Sequence, residues 1–434
     1  MRTPAAAAAV LAVTGTALLW APAASAAPTA ALSCAPLGVA GGYAEFVEKD
    51  STRFSDSEGA VAVGGDARFG DAATGQGFSV GSRLSDADLA KLPGGHSLVV
   101  GGTLHANQVV VSKGSAVYGR LQDRSSADFA VDGRHGPGAS PVDFGKEFAA
   151  LRNLSSGWAA VTPNGTVAVP QGSHGLLLAG TDKELNVFAV AAGDLEKAAE
   201  ISIKVPAGAT TLVNVIGGSY DMGATPTYGV NLWDETAGRF VQDDYAAGSA
   251  AFKQVRSALL WNFPQAESVK KNYTSWPGTI LAPRATVELG GKGVGPGHVN
   301  GAVVAEELLS VPGAETHQMT FTGCLPKAAE PGEPVTPEKP KPTPTVVPEQ
   351  PEPEEPKSEQ PGGTEPGAPS ASPSTPAESA APGTPAPAPT TPEGDLASTG
   401  SAFGPGVVGV AIATVALGGG FVAYSVRRRR GRLS

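Results

Sequence analysis

The stretch GAVAVGGDA at residues 59–67 decides the fold class, because a short run of small and β-branched apolar residues ends there in a glycine pair. Runs of four to six such residues with glycine punctuation are typical of β-strands. The same style recurs at 97–100, 108–111, 117–119, 279–282, 286–289 and 299–304. These short runs predict a mainly β head, built as a β-solenoid or β-helix or else as a β-sandwich, although they follow no repeat of fixed length.

Two helices and a second group of strands are expected within this pattern. Ser85 is suited to cap a short helix that runs through Leu92 and stops at residues 93–95. A longer helix is expected to begin at Ser140, with Pro141 at its first helical position. Its apolar stripe, which should pack against a core, consists of Phe144, Phe148, Leu151 and Leu154. Longer strands, which we expect to form a sheet layered on the coils, are predicted at 167–170, 175–179, 185–192 and 199–205.

The chain has two cysteines, Cys34 and Cys324, at the first and last residues of the region with strand-like runs. Disulfides persist in proteins outside the cell. We therefore predict that a Cys34–Cys324 disulfide closes both ends of one domain, the alternative being two unpaired, buried thiols. A loop of this length contributes about 5 kcal/mol in the chain-entropy model. Two cysteines without a nearby histidine pair do not indicate a metal site.

The N-terminus has the three parts of an export signal. Arg2 is the only charge before an apolar stretch at 5–19, and a small-residue site, Ala-Ser-Ala, follows at 24–26. Small residues at positions −3 and −1 suit the signal peptidase, so we predict cleavage between Ala26 and Ala27. The alternative is that this segment remains as a membrane anchor.

Three features follow one another at the C-terminus. The first is the pentapeptide of Leu396, Ala397, Ser398, Thr399 and Gly400. An uncharged apolar segment at 407–426 comes next, with about the ~20 residues that a transmembrane helix needs. A basic tail at 427–434 ends the chain, and such tails stay on the cytoplasmic side.

This order resembles the cell-wall sorting signal of Gram-positive bacteria, and Ala397 in place of the usual proline resembles the variant of high-GC actinobacteria. By that resemblance, a sortase cysteine attacks the Thr399 carbonyl, releases the chain from Gly400 onward and transfers Thr399 to an amine of the peptidoglycan. The implied partners are the sortase and the peptidoglycan, and the membrane holds the chain only through its C-terminal helix before sorting. The alternative is a tail-anchored membrane protein.

Residues 325–395 contain 21 of the 38 prolines and no apolar periodicity, which predicts a disordered stalk with polyproline character. The predicted domains are therefore a signal peptide at 1–26, a head at 27–324, the stalk at 325–395 and the sorting signal at 396–434. Removal of Arg2 and the five tail arginines leaves 25 of 31 basic residues against 41 acidic ones, a net charge of −16. An acidic chain of this kind argues against a nucleic-acid partner.

Five sequence blocks together resemble the choice-of-anchor A family of bacterial surface proteins. They are LGVA at 37–40, GAVAVGGDA at 59–67, WNFP at 261–264, GTILAP at 278–283 and VNGAVVA at 299–305. The resemblance covers residues 36–324 and implies an adhesive, β-helical head without established catalytic residues. The last two blocks are also similar to β-solenoids of the ice-binding type, but Thr279 and Thr286 form no regular threonine ladder.

Motifs for catalysis are weak. GFSVG at 77–81 matches the nucleophile-elbow pattern, but no helix start follows it, so a turn is expected. The glycine-rich stretch 290–297 lacks the ending of a phosphate loop and is expected to connect two strands. The six histidines form no short pair that would indicate zinc; they are His96, His105, His135, His174, His298 and His317.

Two further groups of residues are candidate binding sites. Calcium binding by Asp221, Asp234, Asp243 and Asp244 is an alternative, although no twelve-residue calcium loop surrounds them. The aromatic residues of the 261–264 block are expected to fill the core, because the head has few aromatic residues.

We therefore predict a non-enzymatic protein of the cell wall, either an adhesin or a structural component of the envelope, with an unknown extracellular ligand and no cofactor or metal. One alternative is a wall-attached glycan hydrolase with paired carboxylates in a groove. The other is a calcium- or ice-binding module.

Overall fold

The computed structural model describes residues 31–123, 128–244, 250–291 and 297–327. The predicted signal peptide, the chain from residue 328 onward and the central part of the glycine-rich stretch 290–297 lie outside the described residues. Within the described ranges, no helix is long and apolar enough to cross a membrane.

Strands dominate the described chain, and helices are few. The strands of the first half are β1 (Leu32–Ser33), β2 (Glu45–Val47), β3 (Ser51–Arg53), β4 (Ser55–Ser57), β5 (Val61–Val63), β6 (Ala67–Phe69), β7 (Phe78–Val80), β8 (His96–Ala106), β9 (Val109–Val111), β10 (Ser115–Asp123), β11 (Phe129–Val131), β12 (His135–Pro137), β13 (Thr166–Ala168), β14 (Gly175–Ala179), β15 (Leu185–Ala191) and β16 (Glu200–Lys204). Those of the second half are β17 (Thr210–Ile216), β18 (Ser219–Asp221), β19 (Gly229–Asp234), β20 (Arg239–Gln242), β21 (Leu259–Asn262), β22 (Ser268–Lys271), β23 (Trp276–Pro277), β24 (Thr279–Leu289), β25 (His298–Asn300), β26 (Val303–Ser310), β27 (Glu315–His317) and β28 (Leu325–Pro326). The helices are α1 (Asp86–Leu89), α2 (Phe144–Ala159), α3 (Ala192–Glu196) and α4 (Ala250–Ser257), with 3₁₀ turns at Gly38–Gly42 and Pro93–Gly95.

Successive strands trace coils that stack in parallel. The largest sheet has the order β12-β10-β8-β5-β2-β26-β24-β21-β17-β15, and a second sheet has the order β11-β9-β7-β4-β27-β25-β23. Long strands such as β24 and β10 shift register midway and continue onto a third surface of the stack. Four short strands complete this surface by pairing with the long strands or with each other, namely β3, β6, β18 and β22. The mainly β prediction is confirmed, and the parallel pairing differs from the antiparallel pairing of a sandwich.

The coils do not stack in the order of the chain. The first four coils, which begin at β2, β5, β8 and β10, build outward from the middle of the largest sheet. Helix α2 then returns along that sheet, and the coils that begin at β15, β17, β21, β24 and β26 build back inward. The first and last coils therefore meet as neighbours at the β2–β26 pair, which we call the seam.

A buried ion pair lies inside the seam. The Arg53 guanidinium donates to the Glu45 carboxylate at 2.8 and 3.0 Å, and both side chains are fully buried. The last coil adds the Ala314 carbonyl, which accepts from Arg53 at 3.1 Å, and the Thr316 hydroxyl, which donates to Glu45 at 2.6 Å. Because buried charges are tolerated only when partners satisfy them, these contacts require the last coil to sit beside the first.

Helix α2 covers the outer side of the largest sheet. The Phe46 ring lies 5.3 Å from that of Phe144 and 5.4 Å from that of Phe148. Arg152 donates to the Glu48 carboxylate and, at 3.1 Å, to the Pro283 carbonyl. The predicted stripe is confirmed, since Phe144, Phe148 and Leu151 are buried and Leu154 is partly buried.

The predicted start of this helix was wrong. The helix begins at Phe144 and not at Ser140, because Asp143 is its N-cap and accepts from the Lys146 amide at 3.1 Å. The Ser140 hydroxyl instead donates to the Val142 carbonyl at 2.9 Å and holds a turn before the helix. By contrast, Ser85 caps α1 with a capping box as predicted, although the helix ends at Leu89.

The predicted layered sheet is only partly present. A five-stranded sheet has the order β13-β14-β16-β19-β20, but β15 belongs to the largest sheet, where it pairs with β17. Within a coil, β15 and β16 are consecutive strands on different sheets, so they do not form one layer. As expected, Trp261 and Phe263 are fully buried in the core.

The two ends of the head are joined. Cys34 and Cys324 form the predicted disulfide, and β1 pairs antiparallel with β28 beside it. The Trp158 indole of α2 donates to the Pro326 carbonyl at 2.8 Å. The fold thus continues two residues past Cys324, the expected end of the head.

A buried polar network fixes α4 over the β23–β25 region. Asp243 accepts from Arg256 of α4 at 2.6 Å, from Ser275 at 2.7 Å and from Asn300 at 2.8 Å. Nearby, the buried Lys271 ammonium donates to the Asn272 carbonyl at 2.9 Å. Burial lowers the pKa of Lys271 to about 7, and the Asp243 charge only partly opposes this effect.

The seam ion pair yields a stability prediction. Arg53→Met should lower the unfolding free energy by about 3–5 kcal/mol, because it leaves the Glu45 charge buried without its partner. Glu45→Leu combined with Arg53→Met should recover most of that loss, because the double variant buries no charge. Urea unfolding of the wild type, the single variant and the double variant measures this. A loss below about 1 kcal/mol, typical of an exposed pair, would contradict the prediction.

Lys271 yields a prediction of pH dependence. In the folded chain it loses its proton near pH 7, whereas in the unfolded chain it keeps the ordinary pKa of 10.5. Between pH 7 and 10 the unfolded state therefore binds more protons, so stability should rise with pH by up to about 1.4 kcal/mol per unit. Lys271→Met should abolish the rise in urea titrations at pH 7, 8 and 9. An equal slope in both proteins would show that another group causes it.

Candidate ligand-binding face

One surface of the coil stack presents a continuous row of outward side chains. Cross-strand register places eight residues side by side on eight neighbouring strands, which at about 4.8 Å per strand extend over about 34 Å. In spatial order the row consists of Gln122, His105, Arg68, Thr52, Leu309, Glu288, Lys270 and Asp221. We call the surface that carries this row the polar face.

The alternation of side chains along each strand explains why the row points outward. Residues adjacent to the row in sequence, such as Leu104, Phe69, Leu308 and Val287, are fully buried in the coil interior. Side chains on a strand alternate between its two sides, so the row residues face solvent. Each of them is exposed or half-buried.

The polar face has no chemical repeat. The eight row positions carry eight different residue types, including both charge signs, an amide, a hydroxyl and an aliphatic side chain. Beside the row, Thr286 donates to the Glu307 carboxylate at 3.2 Å, so this threonine is engaged by a charge and not by an identical neighbour. The regular threonine ranks of a solenoid surface that orders water are not found along this row.

Parts of the other two surfaces of the stack are covered. Helix α2 packs over the largest sheet, as described above, and the α4 network contacts Ser275 and β25, whereas Val110 of β9 is exposed on the second sheet. The polar face is an extended surface on which sheet residues are open to solvent across eight strands.

The candidate nucleophile-elbow motif lies mostly in a strand. In GFSVG at 77–81 the three middle residues form β7, which pairs with β4 and β9, so the predicted turn was wrong for them, and Gly81 turns the chain after the strand with a φ of 79°. Asp56 lies on β4 next to β27, which carries Glu315. Burial, with the Glu315 charge, raises the pKa of Asp56 to about 6, while His317 opposes the shift.

One cavity was compared with the hydrolase alternative through its lining residues. A cavity of 590 Å³ lies between β14, β15 and α3. Among its lining residues, Asp194 is the single carboxylate, and it accepts from Lys197 at 3.2 Å. That cavity therefore lacks the paired carboxylates that glycoside hydrolysis needs.

The aspartates weighed for calcium are engaged by protein groups. Asp234 accepts from the Thr236 amide at 2.9 Å, Asp221 accepts from the Gly223 amide at 2.8 Å, and Asp243 is held by Arg256. In the part of the chain that the structure describes, no group of three or more histidine, cysteine, aspartate or glutamate residues is placed to hold a metal ion.

One pairing of histidines was not visible in the sequence. The rings of His298 and His317 lie 4.8 Å apart on neighbouring strands β25 and β27. Burial lowers the pKa of His298 to about 4, which keeps this ring neutral at physiological pH. The His317 ring shares a hydrogen bond of 2.7 Å with Asn300, so the pair belongs to the network under α4. The two residues are one coil apart, so their proximity could be predicted only if the coil lengths were known.

The predicted processing sites fall outside this region. Ala26, Ala27 and the pentapeptide 396–400 lie beyond the described residues. Of the residues singled out from the sequence, Cys34 and Cys324 are brought together, whereas the polar-face row was not anticipated.

Comparison with known proteins identifies the head. A family model described as "Putative Ice-binding-like adhesive domain" matches residues 36–318. No curated protein matches the chain.

Solved structures with similarity to the chain include ice-binding proteins. One, from the Antarctic ascomycete Antarctomyces psychrotrophicus, is 11% identical with a TM-score of 0.30, over 67% of this chain and 98% of that one. Another, from an Antarctic biological consortium, is 12% identical with a TM-score of 0.29, over 67% and 93% of the two chains. The family model matches more than half of the length of the chain described here. The chain therefore belongs to the family of ice-binding-like adhesive domains.

Proposed function

We infer that this chain is an adhesin of the cell surface, anchored to the wall by a sortase, and that its head contacts an extracellular ligand through the polar face. The observation that carries the adhesive part is the row of eight different side chains, open to solvent on a rigid sheet. A chemically varied row fits a ligand with varied groups better than a repeating lattice such as ice. The family description of the head agrees with an adhesive role.

The coil order suits a head that is pulled by its C-terminus. The chain leaves the head beside the Cys34–Cys324 disulfide, and the coil that precedes this exit lies in the middle of the stack. Tension on the predicted stalk would therefore reach a coil held by neighbours on both sides. A coil at the end of the stack has a neighbour on one side only, so the same force would detach it more easily.

Anchoring rests on the sequence of the C-terminus. Attack of a sortase cysteine on the Thr399 carbonyl carbon forms a thioester and releases the amine of Gly400. A peptidoglycan amine then attacks the thioester, forms the new amide bond and frees the cysteine. In this proposal the head is followed by a stalk and a sorting signal, the arrangement that the resemblance to the choice-of-anchor A family implies.

Thr399→Ala tests the anchoring. The variant should leave the wall fraction and appear in the membrane or the medium, because the acyl group for transfer is altered. Ser398→Ala, at the variable position of the pentapeptide, is the matched control and should stay in the wall. Fractionation and immunoblotting measure both. Wall retention of the Thr399 variant, or a mature protein that still carries the tail arginines, would contradict sortase anchoring.

A bulky charge on the polar face tests adhesion. Thr52→Glu should block ligand contact at the centre of the row, whereas Ser202→Glu places the same group on the five-stranded sheet and should leave adhesion intact. Beads coated with the purified chain 27–399 are tested on arrays of glycans and matrix proteins. Equal adhesion by both variants would rule out the polar face. Thermal hysteresis by the wild type would favour ice binding over adhesion.

A further inference from the structure

Positive charge on the polar face is neutralised in one half and not in the other. On the β22 side, Lys270 lies between Glu288 and Asp221 in the register, with its ammonium 3.5 Å from the Glu288 carboxylate. This lysine is therefore balanced by acidic neighbours on both adjacent strands. The basic side chains in the other half of the row can be compared with this neutralised lysine.

The opposite half carries basic side chains without such partners. Arg68 on β6 has His105 and Thr52 as its neighbours in the row, and Arg120 on β10 is opposite Thr103. Among the described residues, no carboxylate forms an ion pair with Arg68 or Arg120, while Arg53, Arg83, Arg152 and Arg256 each have one. We call Arg120, His105 and Arg68 the basic strip.

Two nearby carboxylates accept hydrogen bonds from backbone amides. Asp66 accepts from the Thr103 amide at 2.7 Å, and Asp50 accepts from the Asp66 amide at 2.8 Å. These bonds hold both carboxylates at the corner of the coils. The guanidinium groups of the strip therefore remain available to a ligand, on a chain whose overall charge is negative.

Two positions at the corner beside the strip are glycines. A Cβ added to Gly102 would lie 2.4 Å from the Asp66 carboxylate, and one added to Gly119 would lie 2.6 Å from the Gly101 carbonyl. Neighbouring coils approach too closely there for any larger residue. These glycines therefore allow the coils beside Arg120 to stack closely.

We propose that the basic strip binds an anionic polysaccharide that lies across the strands. The two guanidinium groups would pair with its carboxylate or sulfate groups, and Thr103 between them, with Gln122 and Thr52 beside them, would bond its hydroxyl groups. The row contains no phenylalanine, tyrosine or tryptophan ring on which nucleic-acid bases would stack. The proposal rests on the adhesive function of the polar face and names its ligand class.

Charge-matched variants test the proposal on the purified chain 27–399. Arg68→Gln with Arg120→Gln removes the strip charges, and Lys183→Gln with Arg239→Gln removes two positive charges of exposed residues outside the polar face. Each variant is checked for folding by circular dichroism. The probes are immobilised polygalacturonate, dextran sulfate, polyphosphate and neutral dextran.

The wild type should bind polygalacturonate and dextran sulfate but not neutral dextran, and added salt should weaken the binding. The strip variant should lose roughly tenfold or more in affinity, because each guanidinium–anion contact is a charge-assisted hydrogen bond. The control variant should stay within about twofold of the wild type, since it removes the same amount of charge from residues outside the polar face.

Three outcomes would overturn the proposal: no binding to either polysaccharide, equal losses in the strip and control variants, or polyphosphate binding of the same strength and sensitivity. If one of these occurs while Thr52→Glu still abolishes adhesion, the ligand class is wrong and the polar face stands. If Thr52→Glu has no effect on adhesion, the proposed function itself fails.

Discussion

The structure depends on the closure of its first coil against its last. The buried Arg53–Glu45 pair and its bonds to Ala314 and Thr316 make this contact specific, because another neighbour would leave a charge or an acceptor without a partner. Apolar interiors of parallel coils resemble one another and would accept several stacking orders. The ion pair distinguishes the seam from every other junction that we describe.

Closure at the seam also decides which surfaces remain open. Since the chain builds outward from the seam, returns and builds inward again, α2 must run along the largest sheet, where its rings pack on Phe46. That sheet is then buried on both sides. The polar face lies on the adjacent surface, where side chains of short strands alternate between core and solvent.

Local features were predictable from the sequence, and long-range order was not. Strand β14 (Gly175–Ala179) and the capping of α1 by Ser85 follow from local residue chemistry. The disulfide was predictable because the chain has two cysteines, which can pair only with each other. The coil order escaped prediction because register partners are unevenly spaced: Phe46 and Ala62 are 16 residues apart, whereas Ala62 and Val99 are 37 apart. The same irregularity hid the row of the polar face, whose members become neighbours only through register. Glu45 and Arg53 gave no signal of burial, because charged residues in short strands usually face solvent.

Hydrogen exchange measured strand by strand tests the seam most directly. If closure of the first coil on the last holds the fold together, the amides of β2 and β26 should exchange only through global unfolding, although these strands are the closest of the largest sheet to the chain ends. The amides of β12 and β15, each at an end of the stack with one neighbouring strand in that sheet, should exchange faster. Faster exchange in β2 and β26 than in β12 and β15 would contradict the account.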